Sequence, residues 1–116
     1  MELQAYINSH PTYISDFRSS GLKVNSFKDL KIVSYPYDKK PVYESKSDLY
    51  KLYLRGAVIN KDNQVICVPP IKAFEINDFN DVNDVEQSDS EIVYETLIDG
   101  TMINLFYHND KWIIST

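Results

Sequence analysis

The closing stretch EIVYETLIDGTMINLFYHNDKWIIST constrains the fold more than any other part of the chain. Three runs, EIVYETLI, TMINLFY and KWIIST, are rich in β-branched and aromatic residues and read as strands. Only Asp99-Gly100 and His108-Asn109-Asp110 separate them. A parallel crossover needs roughly a dozen residues or more, so such short connections join antiparallel neighbours. Asp-Gly suits a tight type I′ turn, because both central positions of that turn need positive φ.

The rest of the chain fits the same architecture. Three glycines against nine tyrosines and five phenylalanines favour pleated strands over a helix bundle. The segment TYISDFRSSG places Tyr13, Ile14 and Phe17 at helical spacing and ends on Gly21, so it is expected to be a helix. DLKIVSYPYD reads as a strand that Pro36 ends or edges, and KKPVYESKSD as a polar connection. LYKLYLRGAVINKDNQVICVPP reads as a hairpin turning on NKDN and closed by Pro69 and Pro70. The expected fold class is α+β: a mainly antiparallel sheet with one or two short helices, in a single domain over residues 1–116.

Charge is distributed unevenly. The net charge is −5, but residues 1–72 carry +4 and residues 73–116 carry −9, with no lysine or arginine between Lys72 and Lys111. Phosphate contacts dominate nucleic-acid affinity, so any RNA binding is expected from the basic first part. The acidic run DFNDVNDVEQSD lacks the glycine and ligand order of a calcium loop and reads as a solvated loop. His10 and His108 lack ligand-spaced partners, so no metal site is expected. A G-x-S-x-G element and a phosphate-cradling glycine loop are both missing, which argues against a serine hydrolase and a P-loop or dinucleotide fold. Cys67, the only cysteine, lies in an apolar run and is expected to be a buried, inert thiol. No run of about eighteen apolar residues and no apolar leader is found, so the expectation is a cytoplasmic or nuclear protein with no membrane span.

Three segments carry a family resemblance. YLRGAVINKDNQVICVPPIKAFE resembles the part of phage-type RNA ligases upstream of their active lysine, with Arg55 and Lys72 on the family's two basic positions. ETLIDGTMINLFY is similar to the strand, the Lys-x-Asp-Gly element and the following strand of that covalent nucleotidyltransferase superfamily. NDKWIIST resembles the strand that returns towards the nucleotide pocket. The match in order and spacing runs over residues 22–116. It implies a partial nucleotidyltransferase fold and a nucleotide site at Arg55, Lys72, Asp99 and Gly100, with ATP or GTP and magnesium as the ligands to test.

The departures limit what the resemblance implies. Leu97 stands where the family has its lysine, and a leucine side chain offers no amine to attack phosphorus, so no catalytic residue is assigned. The sequence stops at Thr116, before the later strands whose acidic residues and paired lysines hold metal and phosphate in that family. The expectation is therefore a degenerate, non-catalytic ligase-like domain with residual nucleotide or RNA-end binding. A structural or interaction protein that joins a protein partner or a second copy through an open sheet edge is the alternative. Simpler readings stand beside each site residue. Arg55 can pair with Glu44 or Asp48, Lys72 can keep an edge strand soluble, and Asp99-Gly100 can be a turn alone. Phe106 and Trp112 are expected to pack in the core rather than to stack a base.

Overall fold

The computed structural model describes residues 1–36, 38, 46–70, 96 and 100–116. Two helices, α1 (Glu2–Ser9) and α2 (Tyr13–Ser19), open the chain. Strands β1 (Lys23–Phe27) and β2 (Leu30–Ser34) follow, then a 3₁₀ helix (Lys46–Tyr53), β3 (Arg55–Asn60), β4 (Val65–Cys67), β5 (Asn104–His108) and β6 (Lys111–Ser115). The described strands form an antiparallel four-stranded sheet in the order β1-β2-β3-β4 and an antiparallel β5-β6 hairpin, so the α+β class is realised. Residues 1–71 and 102–116 form one compact unit, to which everything below refers; residues 72–101 group separately.

The alternation of β3 explains how the layers are held. Ala57 and Ile59 point to one side, where Leu3 and Ile7 of α1, Tyr13 and Phe17 of α2, and Val33 and Leu54 complete a core. Val58 points to the other side and meets Leu30 and Phe106, with Ile32, Ile66 and Ile113 packed around them. Both faces of β3 are therefore covered, by helices on one side and by the β5-β6 hairpin on the other. The i, i+4 pairs Leu3/Ile7 and Tyr13/Phe17 give each short helix one apolar stripe, which is what a helix of this length needs to be stable.

The turns follow from residue type. Asn60 Oδ1 accepts from the amides of Asp62 and Gln64, at 3.0 and 2.8 Å, and Asn63 takes a φ of 60°. The NKDN segment is thus a turn built by its own side chain. Asn109 and Asp110, at φ 50° and 59°, make the two-residue connection of β5-β6, and positive φ at both positions is the type I′ signature.

Several expectations need correction. LYKLY, read as part of a strand, belongs to the 3₁₀ helix. There Asp48 and Lys51 pair at 2.7 Å across one turn, Tyr50 stacks on Tyr6 at 3.8 Å, and Leu52 is buried. Helix α1 and strand β1 had no strong pattern; α1 is held by Leu3 and Ile7 in the core and by Tyr6 on Tyr50 of the 3₁₀ helix, and β1 by its pairing with β2. Phe106 enters the core as expected, but Trp112 is 68% exposed: β6 presents it with Ile114 on the outer face of the hairpin. Cys67 is half-buried, and burial raises its thiol pKa, in keeping with low reactivity.

Candidate functional site

The Arg55-Gly56 pair sits where strands converge. Its register with β2 slips between Val33 and Ser34, so that Val33 faces Ala57 and Ser34 faces Arg55. The extra residue is Gly56, at φ +123°, a backbone conformation that glycine adopts without steric cost. Opposed residues of an antiparallel pair share a face. The bulge therefore brings Arg55 to the Leu30–Ile32–Ser34 face, the side on which the hairpin packs.

Glycine is needed at position 56 for a second reason. A Cβ there would stand 3.4 Å from the Asn104 side-chain nitrogen and 3.6 Å from the Thr116 backbone carbon. Asn104, at the start of β5, donates from Nδ2 to the Gly56 carbonyl at 3.5 Å, and the register places it opposite Ser115 of β6. Asn104 and Ser115 are both buried. The Ser115 hydroxyl is the one buried side-chain polar atom among the described residues without a hydrogen-bond partner.

Arg55 is exposed and makes no ion pair with any described residue. Asp48, one of the two carboxylates considered for it, is paired with Lys51; Glu44 lies outside the described residues. Arg55 carries a guanidinium with donors suited to phosphate and stands opposite Ser34, which lines a cleft of about 560 Å³ together with Lys23, Asn25, Ser115 and Thr116 among others. Gly100 is an exposed bend with open space around it. Lys72, Leu97 and Asp99 lie outside the described residues. Of the four residues assigned from the sequence, then, the structure gives surroundings to Arg55 and Gly100.

A second polar contact ties two turns of the same face together. His108 Nε2 lies 2.8 Å from Asp29 Oδ2, and Asn109 Nδ2 donates to the same oxygen at 3.0 Å. The His108 hydrogen bond, more than any other influence, holds the Asp29 carboxyl below its usual pKa. The pair has no hydroxyl or thiol nucleophile among its hydrogen-bond partners, and its geometry is that of a clamp between the β1-β2 and β5-β6 turns. Among the described residues no group of three or more potential metal ligands is found.

Sequence reasoning missed Lys23, Asn25, Ser34, Asn104 and Ser115. A signal existed for Asn104: alternation in MINLFYH puts it on the same side as Phe106, so a core aromatic two residues away implies a buried amide that needs a partner. Compared with known protein families, with curated proteins and with solved structures, the chain finds no match. No helix among the described residues is long and apolar enough to cross a membrane.

Proposed function

We propose that this chain is a ligase-like nucleotidyltransferase domain without covalent chemistry, which binds a nucleotide or an RNA end non-covalently. One observation carries the reading. The three segments that resemble the RNA ligases meet at one point: Asn104 of the second donates to the Gly56 carbonyl of the first at 3.5 Å, and a Cβ at Gly56 would stand 3.6 to 3.7 Å from the Thr116 backbone of the third. Arg55 stands next to that junction, opposite Ser34, and makes no ion pair with any described residue. Phosphate recognition needs such a guanidinium, while phosphoryl transfer to the protein needs an amine that Leu97 cannot offer. The resemblance also implies roles for Lys72, Asp99 and Gly100, with ATP or GTP and magnesium as candidate ligands and RNA reached through the basic first part of the chain.

The reading is tested by calorimetry with ATP and with GTP in the presence of magnesium, on the wild type and on Arg55→Ala/Lys72→Ala, alongside a gel assay for a covalent nucleotide adduct. Saturable binding that the double substitution abolishes, without an adduct, is the expected result. No binding by the wild type, or a covalent adduct, overturns the proposal.

A second reading, an interaction protein that uses this scaffold to hold a partner, is favoured by a different observation. The β6 strand has no neighbour on its outer side among the described residues, and its exposed face is apolar.

A further inference from the structure

Beside β6 runs a groove whose occupant is absent from the described residues. Two clefts, of about 560 and 320 Å³, share Phe27, Leu30, Ile113 and Ile114 and so are continuous. Their floor is the outer part of the β1-β2 face, with Asn25, Phe27, Leu30 and Ile32. Every residue from Lys111 to Thr116 lines one or both. A strand that alternates its side chains between two faces can line a groove with consecutive residues only by turning its backbone edge to it.

Hydrogen-bond phase fixes which amides that edge offers. In a two-residue type I′ hairpin the pair flanking the turn, here His108 and Lys111, exchanges both backbone bonds, and the pattern then alternates along the ladder. Ile113 and Ser115 therefore spend their N–H and C=O groups on β5. Trp112 and Ile114 direct theirs outward, and no further backbone bond reaches them from any described residue. On the solvent side Trp112 and Ile114, 68% and 65% exposed, align with Tyr107 and Leu105, so the row is apolar as well as unpaired.

We propose that this groove is a strand-docking site: an extended peptide segment of a partner protein pairs with Trp112 and Ile114 and extends the hairpin to three strands over the β1-β2 floor. Alternate side chains of the guest would pack on Phe27, Leu30 and Ile32, with a small hydroxyl residue beside the unpartnered Ser115. Charge sets the guest's ends. Lys23 borders the groove at one end and Lys28 and Lys111 at the other, and none of them forms a salt bridge with a described residue. The single carboxylate side chain in the lining, Asp29, is engaged by His108 and Asn109. Acidic residues flanking an alternating apolar core are thus the complementary chemistry.

The probe is a synthetic peptide alternating valine and threonine with an aspartate at each end, compared with the same peptide N-methylated on alternate amides. Amide exchange on the whole chain is the main readout. Fluorescence of Trp112, the only tryptophan, is the second. The proposal expects the peptide to slow exchange at Trp112 and Ile114 by about ten-fold or more, with little change at Ile113 and Ser115, which β5 already protects. Methylation keeps the side chains and removes the donors, so the methylated peptide should not bind. Ile114→Pro should abolish the effect while leaving the β5-β6 ladder intact, since only an outward N–H is lost. Four results overturn the idea: no effect of the peptide, equal binding of its methylated form, amides of Trp112 and Ile114 already as slow as Ile113 in the free protein, or protection that grows with protein concentration alone and so assigns the edge to a second copy. The groove includes the cleft beside which the nucleotide reading places Arg55, but it uses neither Arg55 nor Lys72. Arg55→Ala/Lys72→Ala is expected to retain peptide binding, so failure of one proposal leaves the other standing.

Discussion

The two sheets deal with their edges in opposite ways. In the four-stranded sheet, β1 ends the order with Lys23, Asn25 and Ser26 exposed to water. At the other side β4 is only three residues long and is followed by Pro69 and Pro70, and the Val65 amide donates to Gln4 Oε1 of α1 at 2.8 Å. Polar side chains, shortness, proline and a covering helix are the means by which edges are kept from recruiting other strands. The β5-β6 hairpin uses few of them at β6, which has no proline, no covering helix among the described residues, and a single charge, Lys111, at its turn end. The contrast is between edges covered or shortened in one sheet and an edge without a described neighbour in the other.

The largest break in that comparison should come from the core. Phe17 is fully buried between the helices and the sheet, so Phe17→Ala is expected to cost about 3 to 5 kcal/mol, enough to unfold a marginal domain. Trp112→Ala should cost no more than about 0.5 kcal/mol, because two thirds of that side chain already lies in water. Urea midpoints of the two variants measure the difference; comparable losses would mean that the outer hairpin face is packed in solution.

A smaller effect is expected at the junction of the two sheets. Gly56→Ala adds a Cβ beside Asn104 and Thr116 at a φ of +123°, and a loss of about 1 to 3 kcal/mol follows from the backbone strain. It should also displace β5 from β3 and so weaken nucleotide binding if Arg55 holds the phosphate. Thermal melts and calorimetry separate the two consequences.

The smallest effect concerns the clamp between the turns. The Asp29 carboxyl is held below its usual value, chiefly by His108, so its contribution is present above the unfolded value of about 4 and is lost as pH falls through the folded value. Asp29→Asn is expected to flatten the acid limb of stability against pH by lowering the neutral region slightly, and to leave the most acid end nearly unchanged. An acid limb as steep as that of the wild type would show that the clamp contributes nothing.

The legible parts of this protein were those in which a local pattern and a local turn agreed. RGAVIN and QVIC pair across NKDN because Asn60 builds the turn from its own side chain, and NLFYH pairs with KWIIS because Asn109 and Asp110 accept positive φ. The helix on Tyr13 and Phe17 was equally plain. LYKLY was misread because β-favouring residues also stack, and Tyr50 found Tyr6 rather than a neighbouring strand. Of the candidate site, Arg55 was singled out from the sequence by the resemblance alone. The cleft was not legible, because Lys23 and Ser34 come from one hairpin and Ser115 and Thr116 from another far along the chain.

The sequence by itself determined the antiparallel pairs, the short helix and the absence of a lysine at position 97, since each depends on residues within a few positions of one another. Only the tertiary structure decided that Phe106 is covered while Trp112 is not, that the register shift at Gly56 sets Arg55 opposite Ser34, and that β6 has no second neighbour among the described strands. The physical reason is that alternation tells which residues share a face, whereas which face is buried depends on what packs against it.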